Sequence, residues 1–339
     1  MKVAIIEKPG VLAVKDAPEP AVGEYECLCE LLYGATCSGT DLHMLAGRLP
    51  FPIPYPTVFG HESVGRVLRI GSKVRSFKAG DLISRVGVPA SDKFGSSWGG
   101  FAERGIAKDH FAMKEDGLPA SKWAGDTGNQ ILPEDMDPRA ATMVITWRET
   151  YSYSCRLGVK DADTVAVIGS GGNGLAYCTH AAILGVKTVI MIGSKARFEA
   201  GKRAGATHCF DYKSDDLSGQ LQKILERNID VIIDSVGKNG QIDRILPQLK
   251  PGGVIGIYGL DDCEEFTVSP RLASGSFTFS SPGYNEAETH EDIMRLIDEK
   301  KLDATIWLDL DSPFNLDSIA DAMQAVQERN VVKALVKLS

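Results

Sequence analysis

The sequence has no long apolar run, no excess of positive charge and no CxxC cysteine pair. No stretch reaches the roughly 18 apolar residues that span a bilayer, and Met1–Pro9 lacks the apolar segment of a signal peptide. We therefore expect a cytoplasmic protein with no membrane partner. Lys and Arg number 37 against 45 Asp and Glu, a net charge of −8, which argues against a nucleic-acid partner. Without a CxxC pair among the seven cysteines, which we expect to be free thiols or ligands, a four-cysteine structural zinc site is excluded.

Two kinds of pattern divide the 339 residues, a length that favours about two domains. The first 110 residues contain short apolar runs separated by proline, glycine and charge, which is typical of β-structure. From about residue 140, apolar strand patterns alternate with helical ones. This alternation predicts a doubly wound parallel sheet with helices on both faces. A last strand is predicted over Val331–Leu338.

A glycine-rich motif follows a buried apolar strand and opens a helix. In this context a GxGxxG pattern is typical of dinucleotide binding. Gly169 permits the tight turn, Gly171 lets the backbone approach a pyrophosphate, and Gly174 lets the helix pack closely on the sheet. The helix N-terminus, with Gly172 and Asn173, supplies N–H groups and a positive dipole to the phosphates. The alternative is a glycine-rich turn that binds no ligand.

The end of the next strand indicates which dinucleotide is bound. An NAD site places Asp or Glu there, to accept a hydrogen bond from the ribose 2′-hydroxyl. This sequence has no carboxylate at that point and has Ser194, Lys195 and Arg197 instead. A hydroxyl and two cations favour a phosphate ester through charge-assisted hydrogen bonds, so we predict NADP(H). The alternative is that both cations belong to a solvated helix face.

Two further motifs carry a resemblance to a known family. Thr40 and His43 lie in GTDLH, and His61 and Glu62 lie in GHESVG. With the later GFAE and the glycine-rich motif, their order resembles the medium-chain dehydrogenase/reductase superfamily, in particular its zinc-type alcohol and polyol dehydrogenases. The resemblance covers nearly the whole chain. It implies a mostly-β GroES-like catalytic domain over residues 1–155 and 290–339, a Rossmann domain over residues 156–289, and association into a homodimer or homotetramer.

The resemblance also implies roles for individual residues. Thr40 and His43 match the family's proton relay, in which a hydroxyl takes the alcohol proton and passes it through the cofactor ribose to the imidazole. Ser38, two residues before Thr40, is a third candidate catalytic residue. Val236 and Tyr258 match segments that run beside the nicotinamide ring in members of the family. For His43 alone, a surface histidine is the alternative.

The family's catalytic zinc site is degenerate in this sequence. Zinc-dependent relatives place a cysteine two residues before the relay hydroxyl, where this chain has Ser38. Cys37 lies one residue too early, and Ile145 stands where the third ligand belongs. His61 is present, so Cys37, His61 and Glu62 are the candidate metal ligands.

Two changes would restore a zinc site, and the sequence leaves both open. A one-residue bulge could turn Cys37 inward while Glu62 coordinates directly, or Glu149 could extend inward from a helix. Without zinc, His61 and Glu62 would form a structural hydrogen-bonded pair.

Three hypotheses about function follow. The first is an NADP(H)-dependent oxidoreductase that interconverts a secondary alcohol or polyol hydroxyl with its ketone. The second is a zinc-independent NADPH-dependent reductase of the quinone or enone type, which the broken ligand set favours. The third is an NADPH-binding protein without catalysis, which would leave Thr40 and His43 unexplained.

Overall fold

The computed structural model describes residues 1–225, 228–262 and 264–339, so the predicted free thiol Cys263 lies outside the described residues. The chain divides into two compact units. Unit 1 comprises Met1–Ile145, His290–Arg295 and Trp307–Ser339, and unit 2 comprises Thr146–Thr289 and Leu296–Ile306. Residues 146–155 and 296–306, which the predicted domain limits assign to the catalytic domain, thus lie in unit 2. The domain limits themselves remain a prediction.

The N-terminal part of unit 1 is built mainly of strands, as its short apolar runs predict. The proline- and glycine-rich segments between these runs form the connections. Its elements are β1 Lys2–Lys8, β2 Val11–Asp16, β3 Glu26–Ala35, α1 Thr40–Ala46, β4 Thr57–Val58, β5 Glu62–Ile70, β6 Leu82–Ser84, β7 Gly95–Ser96, β8 Arg104–Lys108, α2 His110–Glu115, β9 Ile131–Leu132 and α3 Pro138–Ala141.

Unit 2 alternates strands with helices. Its first strand is buried at all five positions, which explains its uninterrupted apolar sequence, since a parallel strand is covered on both faces. The elements from the unit boundary onward are α4 Met143–Arg156, β10 Thr164–Ile168, α5 Gly172–Ile183, β11 Thr188–Gly193, α6 Phe198–Arg203, β12 His208–Asp211, α7 Leu217–Ile224, β13 Ile229–Asp234, β14 Leu249–Ile257 and β15 Phe277–Ser280.

The C-terminal part returns the chain to unit 1. Its elements are α8 His290–Asp298, which crosses the unit boundary, β16 Phe314–Asn315, α9 Ile319–Gln327 and β17 Leu335–Lys337. The strand predicted over Val331–Leu338 is therefore wrong in its first half. The reason is local, because Lys333 donates its backbone N–H to the carbonyl of Trp307 at 3.2 Å.

The sheets differ in topology as their sequences predict. Over the described residues, unit 2 has a six-stranded parallel sheet in the order β12-β11-β10-β13-β14-β15. This is the doubly wound Rossmann order, with β12 and β15 at the two edges of the sheet. Unit 1 has a seven-stranded sheet in the order β16-β17-β3-β5-β6-β9 with β8 also paired to β3, and a four-stranded sheet β2-β1-β4-β7. These are a Rossmann domain and a GroES-like sheet domain. Among the described residues, no helix has both the length and the apolar character needed to cross a bilayer.

Close packing of α5 on β10 leads to a first prediction, the effect of Gly174→Ala. A Cβ at this position would lie 2.3 Å from the carbonyl oxygen of Gly169. Because backbone must move to relieve that overlap, we expect a loss of about 1–3 kcal/mol in the free energy of unfolding, measured by urea titration. Gly125→Ala is the control, since a Cβ there meets nothing within 4 Å. Equal stability of the two variants would contradict this account of the packing.

Candidate active site

The carboxyl end of β3 lies in the interior of the seven-stranded sheet of unit 1. Ala35 on β3 pairs with Glu62 on β5 and with Leu335 on β17, and both pairings are antiparallel. The segment that follows Ala35 therefore lies against the residues that immediately precede Glu62 and Leu335. Strand pairing alone thus brings three distant parts of the sequence together.

Three candidate metal ligands meet at this point. Ligand atoms of Cys37, His61 and Glu62 all lie within 4.8 Å of one another, and all three residues are buried. A thiol, an imidazole and a carboxylate are donor types found in zinc sites. The structure thus brings together the three residues that the sequence analysis named.

Asp41 explains how the thiol of Cys37 lies near His61 although Cys37 is one residue before the family's ligand position. Asp41 is fully buried in the first turn of α1. Its Oδ2 accepts a hydrogen bond from the backbone N–H of Cys37 at 2.8 Å, and its Oδ1 lies 3.4 Å from Nδ1 of His61. The same carboxylate therefore fixes the turn that carries Cys37 and faces one edge of the imidazole. Nε2 of His61 is left on the side of Glu62, 3.8 Å from Oε1.

The surroundings of His61 favour its protonated form when no metal is bound. Burial favours the neutral imidazole, but the neighbouring carboxylate of Asp41 and the thiol group of Cys37 outweigh that effect. As a result, the pKa of His61 lies well above its ordinary value.

Lys333 completes the cluster, and the sequence analysis did not single it out. Its ammonium donates to both oxygens of Glu62, at 2.5 and 2.6 Å, and to the carbonyl of Thr36 at 3.2 Å. Burial disfavours the ammonium, yet the negative charge of Glu62 keeps the pKa of Lys333 above its usual value. A lysine within an otherwise apolar segment was the available sequence signal, since a buried charge requires a partner.

The candidate relay residues lie on one face of α1, three residues apart. Oγ1 of Thr40 is 3.8 Å from Sγ of Cys37, so this hydroxyl adjoins the cluster. Nδ1 of His43 lies 2.6 Å from the carbonyl oxygen of Gly39. Because a carbonyl only accepts, Nδ1 carries a proton, and in the neutral imidazole Nε2 is then the acceptor. Ser38 lies half-buried in the turn that leads into α1.

The alternative metal ligand Glu149 has a different contact. Ile145 is the last residue of the first segment of unit 1, whereas Glu149 belongs to unit 2. There the carboxylate of Glu149 accepts a hydrogen bond from the hydroxyl of Tyr258 at 3.2 Å. The hypothesis that Glu149 binds a metal gains no support from this contact.

The glycine-rich motif of unit 2 has the local geometry expected for phosphate binding. Gly169 has φ = +115°, a conformation that favours glycine, and a Cβ there would lie 2.2 Å from Oγ of Ser235. Gly171 is extended and precedes α5. The first residues of that helix are Gly172, Asn173 and Gly174, whose backbone N–H groups face the N-terminal end of the helix, where its dipole is positive.

The predicted 2′-phosphate segment follows β11 in a short 3₁₀ turn, Lys195–Arg197, with Ser194 at the position just before it. The backbone N–H of Ser194 donates to Oγ of Ser170 in the glycine-rich motif at 3.0 Å, which joins the two segments. Nζ of Lys195 lies 3.6 Å from a carboxylate oxygen of Asp211 at the end of β12. The sequence analysis missed Asp211, because its position beside β11 depends on the pairing of β12.

Val236 and Tyr258 lie beyond the carboxyl ends of β13 and β14. Oδ1 of the buried Asp234 accepts hydrogen bonds from the backbone N–H groups of Val236 and Gly237, both at 2.9 Å, and its carbonyl accepts from the N–H of Tyr258 at 2.9 Å. Burial raises the pKa of Asp234 despite these N–H donors. All the cofactor candidates thus follow the carboxyl ends of strands, where open α/β sheets bind nucleotides.

Comparisons with known proteins agree with both units. The family model described as an alcohol dehydrogenase GroES-like domain matches residues 23–119, and the one described as a zinc-binding dehydrogenase matches residues 172–299. The chain belongs to the medium-chain dehydrogenase/reductase superfamily. It is accordingly an oxidoreductase of that superfamily.

Individual relatives cover most or all of the chain. An L-galactonate-5-dehydrogenase from Escherichia coli K12 is 24% identical over 338 residues, which are 99% of this chain and 98% of the relative. An NADP-dependent isopropanol dehydrogenase from Clostridium beijerinckii is 28% identical over 269 residues, 76% and 75% of the two chains. The crystal structure of 2R,3R-butanediol dehydrogenase from Bacillus subtilis has the same fold, with a TM-score of 0.80 at 19% identity over 100% and 99% of the two chains.

The buried pair of Lys333 and Glu62 generates a second prediction. Lys333→Met removes the ammonium that contacts both oxygens of the buried Glu62, so we expect the free energy of unfolding to fall by about 3–5 kcal/mol, measured by urea titration. The double variant Lys333→Met/Glu62→Gln should regain part of that loss, because the carboxylate charge that Lys333 balanced is also removed. Lys337→Met, an exposed position on β17, should leave stability unchanged. If Lys333→Met and Lys337→Met lowered the free energy of unfolding equally, the ion pair of Lys333 and Glu62 would not be a stabilising contact.

Proposed function

We propose that this protein is an NADP(H)-dependent oxidoreductase that interconverts a secondary alcohol or polyol hydroxyl with its ketone. The observation that carries the proposal is the position of Thr40, whose hydroxyl lies 3.8 Å from Sγ of Cys37 in the cluster with His61 and Glu62. A relay hydroxyl beside a potential metal site is the arrangement that alcohol oxidation requires. Names of relatives, which include isopropanol, butanediol and sorbitol dehydrogenases, support the substrate class.

The donor set of unit 1 suits zinc. Cys37 and His61 would supply a thiolate and the Nε2 lone pair, and Asp41 beside Nδ1 is the acidic partner that metal-bound histidines usually have. Glu62 would supply the third ligand while still holding Lys333, because each carboxylate oxygen has two lone pairs. Three protein ligands leave one position of a tetrahedral site open, as a catalytic zinc requires.

In this proposal the chain's own residues move the proton. Bound zinc would polarise the substrate oxygen, and bound NADP⁺ would accept the hydride. Thr40 would accept the hydroxyl proton of the alcohol and give up its own, and Nε2 of His43 would be the final proton acceptor. The hydrogen bond from Nδ1 of His43 to Gly39 supports this role, because it keeps Nε2 as the proton acceptor.

The cofactor preference rests on the segment after β11. Ser194, Lys195 and Arg197 offer a hydroxyl and two cations next to the glycine-rich motif, which would suit a 2′-phosphate. The NADP dependence of the isopropanol dehydrogenase relative supports the same preference.

One observation favours the second candidate, a metal-independent reductase of enones or quinones. Lys333 engages both oxygens of Glu62, so the cluster is already neutralised in part without a metal. In that case His61 and Glu62 are structural, and the substrate must be activated by conjugation rather than by a Lewis acid.

Turnover of secondary alcohols is the third prediction. With NADP⁺, the purified protein should oxidise members of a panel of secondary alcohols and polyols, followed by absorbance of NADPH. Thr40→Val should lower kcat by about 100-fold or more, because it removes the relay hydroxyl, whereas Thr40→Ser should retain most of the activity.

The same assay, run in reverse with simple enones and NADPH, separates the two candidates. Reduction of enones with no turnover of any alcohol or ketone would select the metal-independent reductase. Equal kcat for Thr40→Val and the wild type would contradict the relay.

Bound zinc is the fourth prediction. Elemental analysis of untagged protein purified without chelators should find one zinc per chain, and Cys37→Ser should lower that content strongly. Cys155→Ser, at an exposed cysteine, should keep it and serves as the control. Wild-type protein that oxidises alcohols without metal, and gains nothing from added zinc, would refute the proposed ligand role of Cys37, His61 and Glu62.

A further inference from the structure

Strand pairing places an acidic residue beside the predicted 2′-phosphate segment. β11 and β12 are parallel neighbours, and Asp211 at the end of β12 is directly paired with Gly193 at the end of β11. Ser194, Lys195 and Arg197 follow Gly193. The carboxylate that is missing after β11 is therefore supplied at the same level of the sheet by the next strand.

The contacts of Asp211 hold its carboxylate in place against Lys195. Oδ1 accepts a hydrogen bond from the backbone N–H of Lys213 at 3.0 Å, and Oδ2 lies 3.6 Å from Nζ of Lys195. The side chain of Asp211 is 19% exposed, whereas that of Lys195 is 76% exposed. The acid is thus fixed by its own turn, and the cation can move toward a ligand.

Both residues line one cavity of unit 2. It has a volume of about 360 Å³ and is bounded by Lys195, Asp211 and Lys213, with Phe198 and Phe210 contributing apolar surface. A group bound by Lys195 on this side of β11 would therefore also be close to the Asp211 carboxylate.

A carboxylate at this position acts differently on the two forms of a dinucleotide. A phosphate monoester carries close to two negative charges, so Asp211 repels it and competes with it for Lys195. A ribose hydroxyl is neutral and is not repelled. The negative charge of Asp211 therefore reduces the advantage that Lys195 and Arg197 give to the phosphorylated form.

We propose that Asp211 is a cofactor-specificity residue that weakens discrimination in favour of the 2′-phosphate by acting as a counter-ion to Lys195. This inference rests on the proposed function, because it assumes that the segment after β11 receives the 2′-position of the ribose. It predicts that the wild-type protein prefers the phosphorylated cofactor less strongly than a protein with Lys195 and Arg197 but without the Asp211 carboxylate.

The test compares two fragments that differ only by the 2′-phosphate, adenosine 2′,5′-bisphosphate and 5′-AMP. Their dissociation constants for the full-length protein are measured by isothermal titration calorimetry. Asp211→Asn should increase the preference for the bisphosphate by about fivefold to tenfold. Removing a unit charge 3.6 Å from Nζ of Lys195 changes the electrostatic attraction between Lys195 and the 2′-phosphate by that order. The change should appear in the bisphosphate constant and not in the constant for 5′-AMP.

A matched control is available on α6, directly after the turn. Glu199 is also a carboxylate paired with a lysine, 2.8 Å from Lys202, but it does not line the cavity. Glu199→Gln removes the same charge and should change the preference less than twofold. Equal effects of Glu199→Gln and Asp211→Asn would reduce the role of Asp211 to general electrostatics and overturn the inference.

The remaining outcomes separate this inference from the proposed function. If the wild type and Lys195→Ala bind both fragments equally well, the preference for NADP(H) is wrong, whatever Asp211 does. If the wild type prefers the bisphosphate and Asp211→Asn leaves that preference unchanged, the inference alone is wrong. Weaker binding of 5′-AMP by Asp211→Asn would also overturn it, because Asp211 would then be an acceptor for the ribose hydroxyl.

Discussion

The ion pair of Lys333 and Glu62 joins residues that are 271 positions apart in the sequence. Two charges can be buried together only if their geometry is good and their remaining hydrogen bonds are made. Here that geometry requires β17 on one side of β3 and β5 on the other, with Thr36 contributing its carbonyl between them. The pair therefore ties the order of the central strands to the place where Cys37 and His61 meet.

The two units use buried acidic residues in the same way. In unit 1, Asp41 accepts the backbone N–H of Cys37, and in unit 2, Asp234 accepts the N–H groups of Val236 and Gly237. In each case a carboxylate without solvent fixes the turn that follows the end of a strand. The backbone that carries the candidate functional residues is therefore fixed by hydrogen bonds to a buried carboxylate. A preorganised site needs such support.

Sequence reasoning was most successful where the signal is local. The alternation of strands and helices predicted the Rossmann sheet, and the glycine-rich motif located the start of α5 because glycine spacing and helix N-terminus are contiguous. The candidate ligands Cys37, His61 and Glu62 also came from short motifs, and the structure brings them together.

Reasoning from one sequence failed where a position depends on pairing between distant strands. Lys333 lies just before β17 and meets Glu62 across β3, and Asp211 lies beside Lys195 because β12 pairs with β11. The register of such pairings cannot be obtained from a single sequence. The position of the Cys37 thiol is a related case. Cys37 lies one residue before the family's ligand position, but the turn that Asp41 fixes still brings its thiol to His61. The roles of these residues in catalysis and cofactor binding remain proposals.

The interrupted course of unit 1 along the chain has a consequence for biosynthesis. Glu62 emerges from the ribosome early, but its counter-charge is encoded 271 residues later. At about 5–20 residues per second, translation separates the two by roughly 14–54 s. During that interval the nascent chain contains Glu62 but not the ammonium of Lys333, and residues 146–289 of unit 2 are made before Lys333 is reached. Unit 1 is thus completed last although its sequence begins first, and truncation before Lys333 would leave its central sheet permanently unfinished.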